Sequence, residues 1–278
     1  MLLDIRDTRL HVDQRGPEDA PPLLFLHGGP GSGSYDFMSF QGDRLSERLR
    51  LVGVDQRGVQ HSDPLDGPVT EDDLIADFEA LRQTLGFDRW SILGHSYGGR
   101  LALRYAVTHP GTVARVIFEN PPWDMVLATR TLVDAALPLL TELGDEAGAE
   151  ELLSHEGPAT AAMWDARIAL VQRLGDRRME IYFGPDAQGA GRFAEEITRT
   201  PGFSESLLPY LERLTQSALL IKGGHDPVTS AEEIDLFQAQ VPNGRFQLFD
   251  TAGHFVHAEQ PEAYARLATD FILSSPPP

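Results

Sequence analysis

Along this chain, short apolar runs closed by turn residues alternate with longer stretches whose apolar positions recur every three to four residues. "PPLLFLH" (21–27) and "RLVGVD" (50–55) read as buried strands with a loop region between them. "TEDDLIADFEALRQTLG" follows, with Thr70 as N-cap, Asp73 three residues on, and Leu74, Ile75, Phe78, Leu81 and Leu85 on one face before Gly86. That pattern predicts an amphipathic helix opened by a capping box. The alternation then repeats as strand "RWSILG", helix "YGGRLALRYAVTH" stopped at Pro110, and strand "ARVIFEN". Strands spaced by helices predict an α/β fold with a mostly parallel sheet and helices on both faces.

From residue 122 to 214 the pattern changes to Ala- and Leu-rich helical stretches with Gly/Pro breaks, and no segment reads as a strand. "SALLIKGGHDP" and "GRFQLFDTAGH" then resume strand character, separated by helical "SAEEIDLFQAQV" and followed by a last helix near "PEAYARLATDFIL". The reading is a sheet domain built from 1–121 and 215–278, interrupted by a helical insertion over 122–214. Disorder is expected only in the terminal "SSPPP", and internal repeats are not seen.

Composition narrows the function classes. The chain of 278 residues carries 23 Lys+Arg against 42 Asp+Glu, a formal charge of −19, which repels nucleic-acid phosphates and anionic membranes. No nucleic-acid or membrane partner is expected. With no cysteine, disulfides, thiolate metal sites and a Cys nucleophile are excluded. "MLLDIRDTRLHVD" breaks its apolar run with Asp4 and Arg6, so no signal peptide is expected there, and no run reaches the length of a membrane span. A cytoplasmic protein is the expectation.

The chemistry centres on "LGHSYGG", a G-x-S-x-G pattern lying between a predicted strand and a predicted helix. A strand-to-helix turn strains the backbone at Ser96 and exposes its hydroxyl, and glycines two positions to either side leave room. Serine is a weak nucleophile and needs a base oriented by an acid. His254, in the loop after the last strand, is the favoured base, with His257 as its competitor; His225 and His95 read as structural. Asp226, just past another strand, is the favoured acid because chain order Ser, Asp, His fits this arrangement, with Glu119 as its rival. The spacing of His254, His257 and Glu259 lacks further ligands, so no metal is expected there.

"HGGPGSGS" (27–34) raises a second question, whether the loop holds phosphate. It lacks the Lys of a P-loop, and in both G-x-G-x-x-G frames the third glycine is replaced, by Ser34 or by Asp36. The loop instead suits an oxyanion hole, with backbone N–H donors from Gly29 and from Tyr97, the residue after the serine.

With these residues in place the chain resembles the α/β-hydrolase superfamily over nearly its whole length. "HGGPG" together with "DQRGVQHSDP" (55–64) is similar to the proline iminopeptidase branch, whose members release N-terminal proline or other residues from small peptides. The resemblance implies Ser96, Asp226 and His254 as a triad, Gly29 and Tyr97 as oxyanion hole, and 122–214 as a helical cap. It implies a small-peptide or small-molecule substrate and no cofactor. Gln60 stands where that branch has a second glycine, and His95 where it commonly has glycine. "KGGHDPVTS" and "GHFVHAEQPEAY" resemble esterases and carbon–carbon bond hydrolases as much as peptidases. An esterase, a lactonase or a carbon–carbon hydrolase therefore stays open beside the aminopeptidase, as does a binding protein on the same scaffold. An aminopeptidase needs carboxylates for a substrate ammonium, and Glu119, Glu195 and Glu196 are the candidates; Trp123 either lines the pocket or packs cap against core.

Overall fold

A computed structural model describes residues 1–144, 146–147, 150 and 190–274. The expected insertion is therefore described only at its two ends, and the "SSPPP" tail beyond Ser274 lies outside the described residues. The strands are β1 (Leu2–Ile5), β2 (Thr8–Arg15), β3 (Pro22–Leu26), β4 (Arg50–Val54), β5 (Trp90–His95), β6 (Val113–Glu119), β7 (Ser217–Gly223) and β8 (Gly244–Phe249). They form one sheet in the order β1-β2-β4-β3-β5-β6-β7-β8. β1 and β2 run antiparallel to their neighbours, and every pairing from β4 to β8 is parallel.

The helices are α1 (Tyr35–Ser46), α2 (Glu71–Thr84), α3 (Tyr97–Thr108), α4 (Met125–Leu143), α5 (Ala190–Thr198), α6 (Pro201–Ser204), α7 (Ala231–Gln240), α8 (Val256–Glu259) and α9 (Pro261–Leu273). α2 opens with the expected box: Asp73 N–H donates to Thr70 Oγ1 at 3.2 Å and Thr70 N–H to the Asp73 carboxylate at 3.1 Å.

Why the strands read as unbroken apolar runs is visible in the core. Leu24 and Leu26 of β3, Val52 and Val54 of β4 and Ile92 of β5 pack on one face, among Phe78, Leu101 and Tyr105. Leu23 and Phe25, Leu51, and Leu93 pack on the other, among Phe37, Leu45, Tyr264 and Phe271. Both faces are covered, so both side-chain sets of each strand must be apolar.

Two parts depart from the hydrophobic pattern. The segment between β3 and β4, expected as a loop, contains helix α1, whose buried positions are Asp36, Phe37, Met38, Gln41, Gly42 and Leu45. Half of that buried face is Asp, Gln and Gly, which hides the helical period. Phe37 holds α1 on the sheet by stacking on Phe25, with ring centroids 3.8 Å apart. The β1–β2 hairpin also lies outside that pattern, because β1 is only four residues long and β2 sets Arg9, His11, Asp13 and Arg15 among its buried Leu10 and Val12. No helix among the described residues is long and apolar enough to cross a membrane.

Residues 202 to 205 are fastened to α3 by the buried Arg100 side chain. Arg100 Nε donates to Glu71 Oε1 at 2.8 Å, Nη1 to Trp123 O at 3.0 Å, and Nη2 to Gly202 O and Glu205 O at 2.5 and 2.6 Å. Arg100→Ala removes four charge-assisted bonds and strips Glu71 of one partner, leaving Arg104 at 3.2 Å. Unfolding free energy is expected to fall by about 3 kcal/mol, the low end for a broken buried pair. Urea denaturation checks this; a loss within error of zero would contradict it.

Candidate active site

Ser96 lies between β5 and α3 with φ 52 and ψ −125, a backbone region that L residues seldom adopt. Ser96 N–H donates to Glu119 O at 2.8 Å, and Gly99 N–H to Ser96 O at 2.8 Å, so neighbouring backbone holds the strained turn. The flanking glycines are required by close approach. A Cβ on Gly94 would overlap Gly98 O, and one on Gly98 would overlap Leu26 O.

His254 and Asp226 meet at the carboxyl ends of the strands, in the loops after β8 and β7. His254 Nδ1 is 2.7 Å from Asp226 Oδ1. Burial alone would raise the pKa of Asp226, but the His254 ring and the Lys222 ammonium outweigh it and bring the carboxyl down to about 2. An ionised carboxylate only accepts, so Nδ1 must carry the hydrogen, which assigns the lone pair of the neutral ring to Nε2. Asp226 is also saturated by Val228 N–H and Thr229 N–H, both at 3.1 Å. The His254 ring lies 4.8 Å, centroid to centroid, from the ring of His95, the residue preceding Ser96.

Several residues that complete this arrangement escaped the sequence reading. Lys222 Nζ donates to Asp226 Oδ2 at 2.9 Å, to Gly223 O at 2.8 Å and to Asp226 O. Its signal was present in "SALLIKGG", a lone cation at the end of a buried strand four residues before the acid. Asn120 donates from Nδ2 to Gly253 O and His254 O, at 3.2 and 2.8 Å, and accepts from Gly223 N–H at 3.0 Å. Glu259 accepts from Gly253 N–H at 2.9 Å and Phe255 N–H at 3.3 Å. The loops carrying Asp226 and His254 are thus tied to each other by side chains.

The glycine loop runs beside the serine. A Cβ on Gly28 would stand 2.9 Å from Ser96 Cβ, so the peptide joining Gly28 to Gly29 borders the elbow, and Gly29 has φ 111. "HGGPG" and "DQRG" hold each other: Gln56 N–H donates to His27 Nε2 at 3.1 Å, and its amide to His27 O at 3.2 Å. Burial keeps the His27 pKa low, consistent with a neutral ring that accepts. Gln60, in the place of the expected glycine, takes φ 44 and donates its amide to Ser32 O in the same loop. The position keeps the left-handed backbone, and the side chain supplies a tie that glycine lacks.

The remaining candidates are placed differently from expectation. Glu119, offered as rival acid or ammonium ligand, is fully buried and committed elsewhere: His257 Nδ1 lies 3.0 Å from both of its oxygens and Tyr264 Oη donates at 3.0 Å. His257 Nε2 is 3.4 Å from Asp36 Oδ2. This corrects both readings of Glu119 and the reading of His257 as base, since these two form a buried pair behind the elbow. Trp123 is fully buried between Phe118 and Phe237, with ring centroids at 5.0 and 5.7 Å, which makes it packing. Tyr97 is buried at the start of α3. Glu195 is exposed, 3.8 Å from Arg199, and Glu196 is half-buried. His225 is exposed beside Asp226.

The Glu119–His257 pair makes stability depend on pH. Burial alone would lower the His257 pKa, but Glu119 and Asp36 push it up to about 10, while Glu119 is held well below the carboxylate range. A His raised above its unfolded value of about 6.5 contributes fully below that pH, and the contribution is lost as pH rises toward 10. His257→Gln is therefore expected to cost about 3 kcal/mol at pH 6. The deficit relative to wild type should shrink on approaching pH 10, read from urea midpoints at both values. An equal deficit at the two pH values would exclude the charged pair as its source.

Comparison with known proteins agrees with this architecture. The sequence model of the alpha/beta hydrolase fold family matches residues 21–261. The proline iminopeptidase of Xylella fastidiosa (strain 9a5c) is 42% identical over 123 residues, 42% of this chain and only 39% of that protein's length. The proline iminopeptidase of Heyndrickxia coagulans is 27% identical over 91% of both chains. Among solved structures, the enol-lactonase from Burkholderia xenovorans LB400 superposes with a TM-score of 0.70 at 21% identity, covering 99% of this chain and 100% of that one, a likeness of fold alone. Sequence match, sheet order and strained elbow lead to one assignment: the chain belongs to the alpha/beta hydrolase fold family.

Proposed function

We propose that this chain is a serine hydrolase working through an acyl-enzyme, with iminopeptidase-like aminopeptidase activity on small peptides. The observation that carries the chemistry is the 2.7 Å contact between His254 Nδ1 and Asp226 Oδ1 beside a strained Ser96 elbow. In this reading His254 Nε2 takes the Ser96 hydroxyl proton as Oγ attacks the carbonyl carbon. The oxyanion is received by the N–H groups of Gly29 and Tyr97, the latter at the positive end of α3. His254 returns the proton to the departing amine, and water then attacks the acyl-enzyme with the same base. Asp226 fixes the tautomer and stabilises the imidazolium, and Lys222 fixes Asp226. Residues 122–214 are, in the same reading, a helical cap whose returning end Arg100 anchors.

The peptide substrate is supported by "HGGPG", by "DQRG" and by the iminopeptidase relatives. One observation favours a second reading, an esterase or lactonase: Glu119 is spent on His257 and Tyr264, which removes one candidate carboxylate from service to an ammonium. Glu195 and Glu196 are the remaining candidates for that role.

Assaying the enzyme in parallel on proline and other amino-acid arylamides and on short-chain aryl esters separates the two. Arylamide turnover with a free N-terminus required is the expected result. Ester turnover alone would remove the peptidase reading. Fluorophosphonate treatment is expected to label Ser96, and failure to do so would favour a non-catalytic binding protein.

A further inference from the structure

Among the described residues two groups bring histidines and a carboxylate within metal-ligand reach of one another, His95/Glu119/His257 and His11/Asp55/His61. The first is fully buried, and Glu119 is already committed to His257 and Tyr264. The second opens to solvent and serves no step of the proposed reaction.

Its donors are set by backbone pairing. His11 lies in β2 and Asp55 directly follows β4, where Asp55 N–H donates to His11 O at 3.0 Å. Ser62 Oγ accepts from His11 N–H at 2.9 Å and donates to Asp55 O at 2.6 Å, which brings the adjacent His61 alongside. Both His11 Nδ1 and His61 Nδ1 stand 3.2 Å from the same oxygen, Asp55 Oδ2. The two rings are 4.9 Å apart and tilted by 47°. Asp55 Oδ1 faces away and accepts from Ser34 N–H and Oγ–H at 2.8 and 2.9 Å, with His61 N–H 3.4 Å from Oδ2. The carboxylate is thus oriented by a second set of contacts, as carboxylate ligands are. Its side chain is 1% exposed, whereas those of His11 and His61 are 29% and 48% exposed.

Two ligand atoms each about 2.0–2.1 Å from a tetrahedral metal stand about 3.3 Å apart. The observed 3.2 Å separations therefore place Oδ2 and either Nδ1 at the spacing of neighbouring ligands. The open side, between two partly exposed imidazoles, leaves room for water. Two neutral imidazoles and one carboxylate suit a borderline divalent cation such as Zn²⁺ rather than Mg²⁺ or Ca²⁺. The chain's charge of −19 favours any cation approaching it.

We propose that His11 Nδ1, His61 Nδ1 and Asp55 Oδ2 form a divalent transition-metal site of the zinc class, completed by water and separate from the Ser96 centre. Binding moves the hydrogen of each neutral ring from Nδ1 to Nε2, so both rings stay neutral and there is no redox change. A metal held there also acts on the glycine loop, because Asp55 anchors Ser34.

The test uses the full-length protein stripped with a chelator and dialysed. Zn²⁺ is measured by competition against a chromophoric chelator, and Co²⁺ by its visible ligand-field spectrum. One equivalent of Zn²⁺ and a four-coordinate Co²⁺ spectrum are expected for wild type. His61→Ala and His11→Ala should each weaken Zn²⁺ by at least about 10-fold, and metal should raise the thermal midpoint of wild type only. Should His11→Ala fail to fold, His61→Ala decides alone, since His61 is the more exposed side chain. Equal affinity in His61→Ala and wild type, or absence of saturable binding to wild type, overturns the site.

Discussion

Ser96→Ala should lower turnover by about 10⁵-fold while leaving the urea midpoint unchanged within error. The rate effect follows from removing the nucleophile from a unit that acts together, where losing one member costs nearly as much as losing all. The unchanged fold follows from local geometry. Ser96 already pays no hydrogen-bonding role in capping α3, and alanine presents the same Cβ at φ 52 that serine does. The turn is held by backbone bonds to Glu119 O and from Gly99 N–H, which the substitution leaves alone. Steady-state kinetics on the best substrate of the parallel assay, with fluorophosphonate labelling beside it, provide the measurement. Retention of more than a hundredth of the activity, at about 3 kcal/mol of barrier, would remove Ser96 from the nucleophile's role.

The second large effect separates the two acids that the sequence left in competition. Asp226→Asn should lower kcat by about 10⁴-fold, because an amide that donates to Nδ1 turns the imidazole into the wrong tautomer. It should also lower stability, since the buried Lys222 ammonium then loses the carboxylate it faces at 2.9 Å. Glu119→Gln should spare turnover while also weakening the fold. It leaves the His254–Asp226 contact intact, so kcat should change by less than about 10-fold, while the loss of a charge between His257 and Tyr264 weakens the fold. Measuring kcat and urea midpoints for both variants resolves the roles. A collapse of kcat in Glu119→Gln with Asp226→Asn unaffected would exchange the assignments.

How much of this was legible in the sequence depended on whether a residue's signal is local. The elbow was legible, since a serine between glycines at a strand-to-helix junction states its own constraint, and the overlaps at Gly94 and Gly98 give the reason. The α2 capping box was legible for the same cause. Helix α1 was not, because it buries Gln41 and Gly42 where a period of apolar residues would be sought; Gln41 is there to donate to His257 O at 2.6 Å and Pro261 O at 3.1 Å, partners more than two hundred residues away. Glu119 misled for a related reason. Its position at the end of β6 suits an acid facing the site, and only the packing of α8 and α9 against it shows that its oxygens are turned toward His257 and Tyr264. Asn120 contributes through contacts made across loops, which spacing along the chain does not encode, whereas Lys222 acts on Asp226 four residues on and its signal was local.

Asn120 bears on how such a protein can be rebuilt. Its single amide grips Gly223 on the strand leading to Asp226 and Gly253 and His254 on the loop after β8, so the register between Asp226 and His254 is set crosswise and not by the chain that links them. β8 adds to that register, pairing with β7 from Ala218 and Gly244 to Gly223 and Phe249, while Gly224 N–H and His225 N–H donate to Phe249 O and Ala252 O at 2.8 and 2.9 Å. What joins Asp226 to His254 is thus a lattice of cross-strand and side-chain bonds, so the geometry of the pair does not depend on the length of the helix-bearing connection between them.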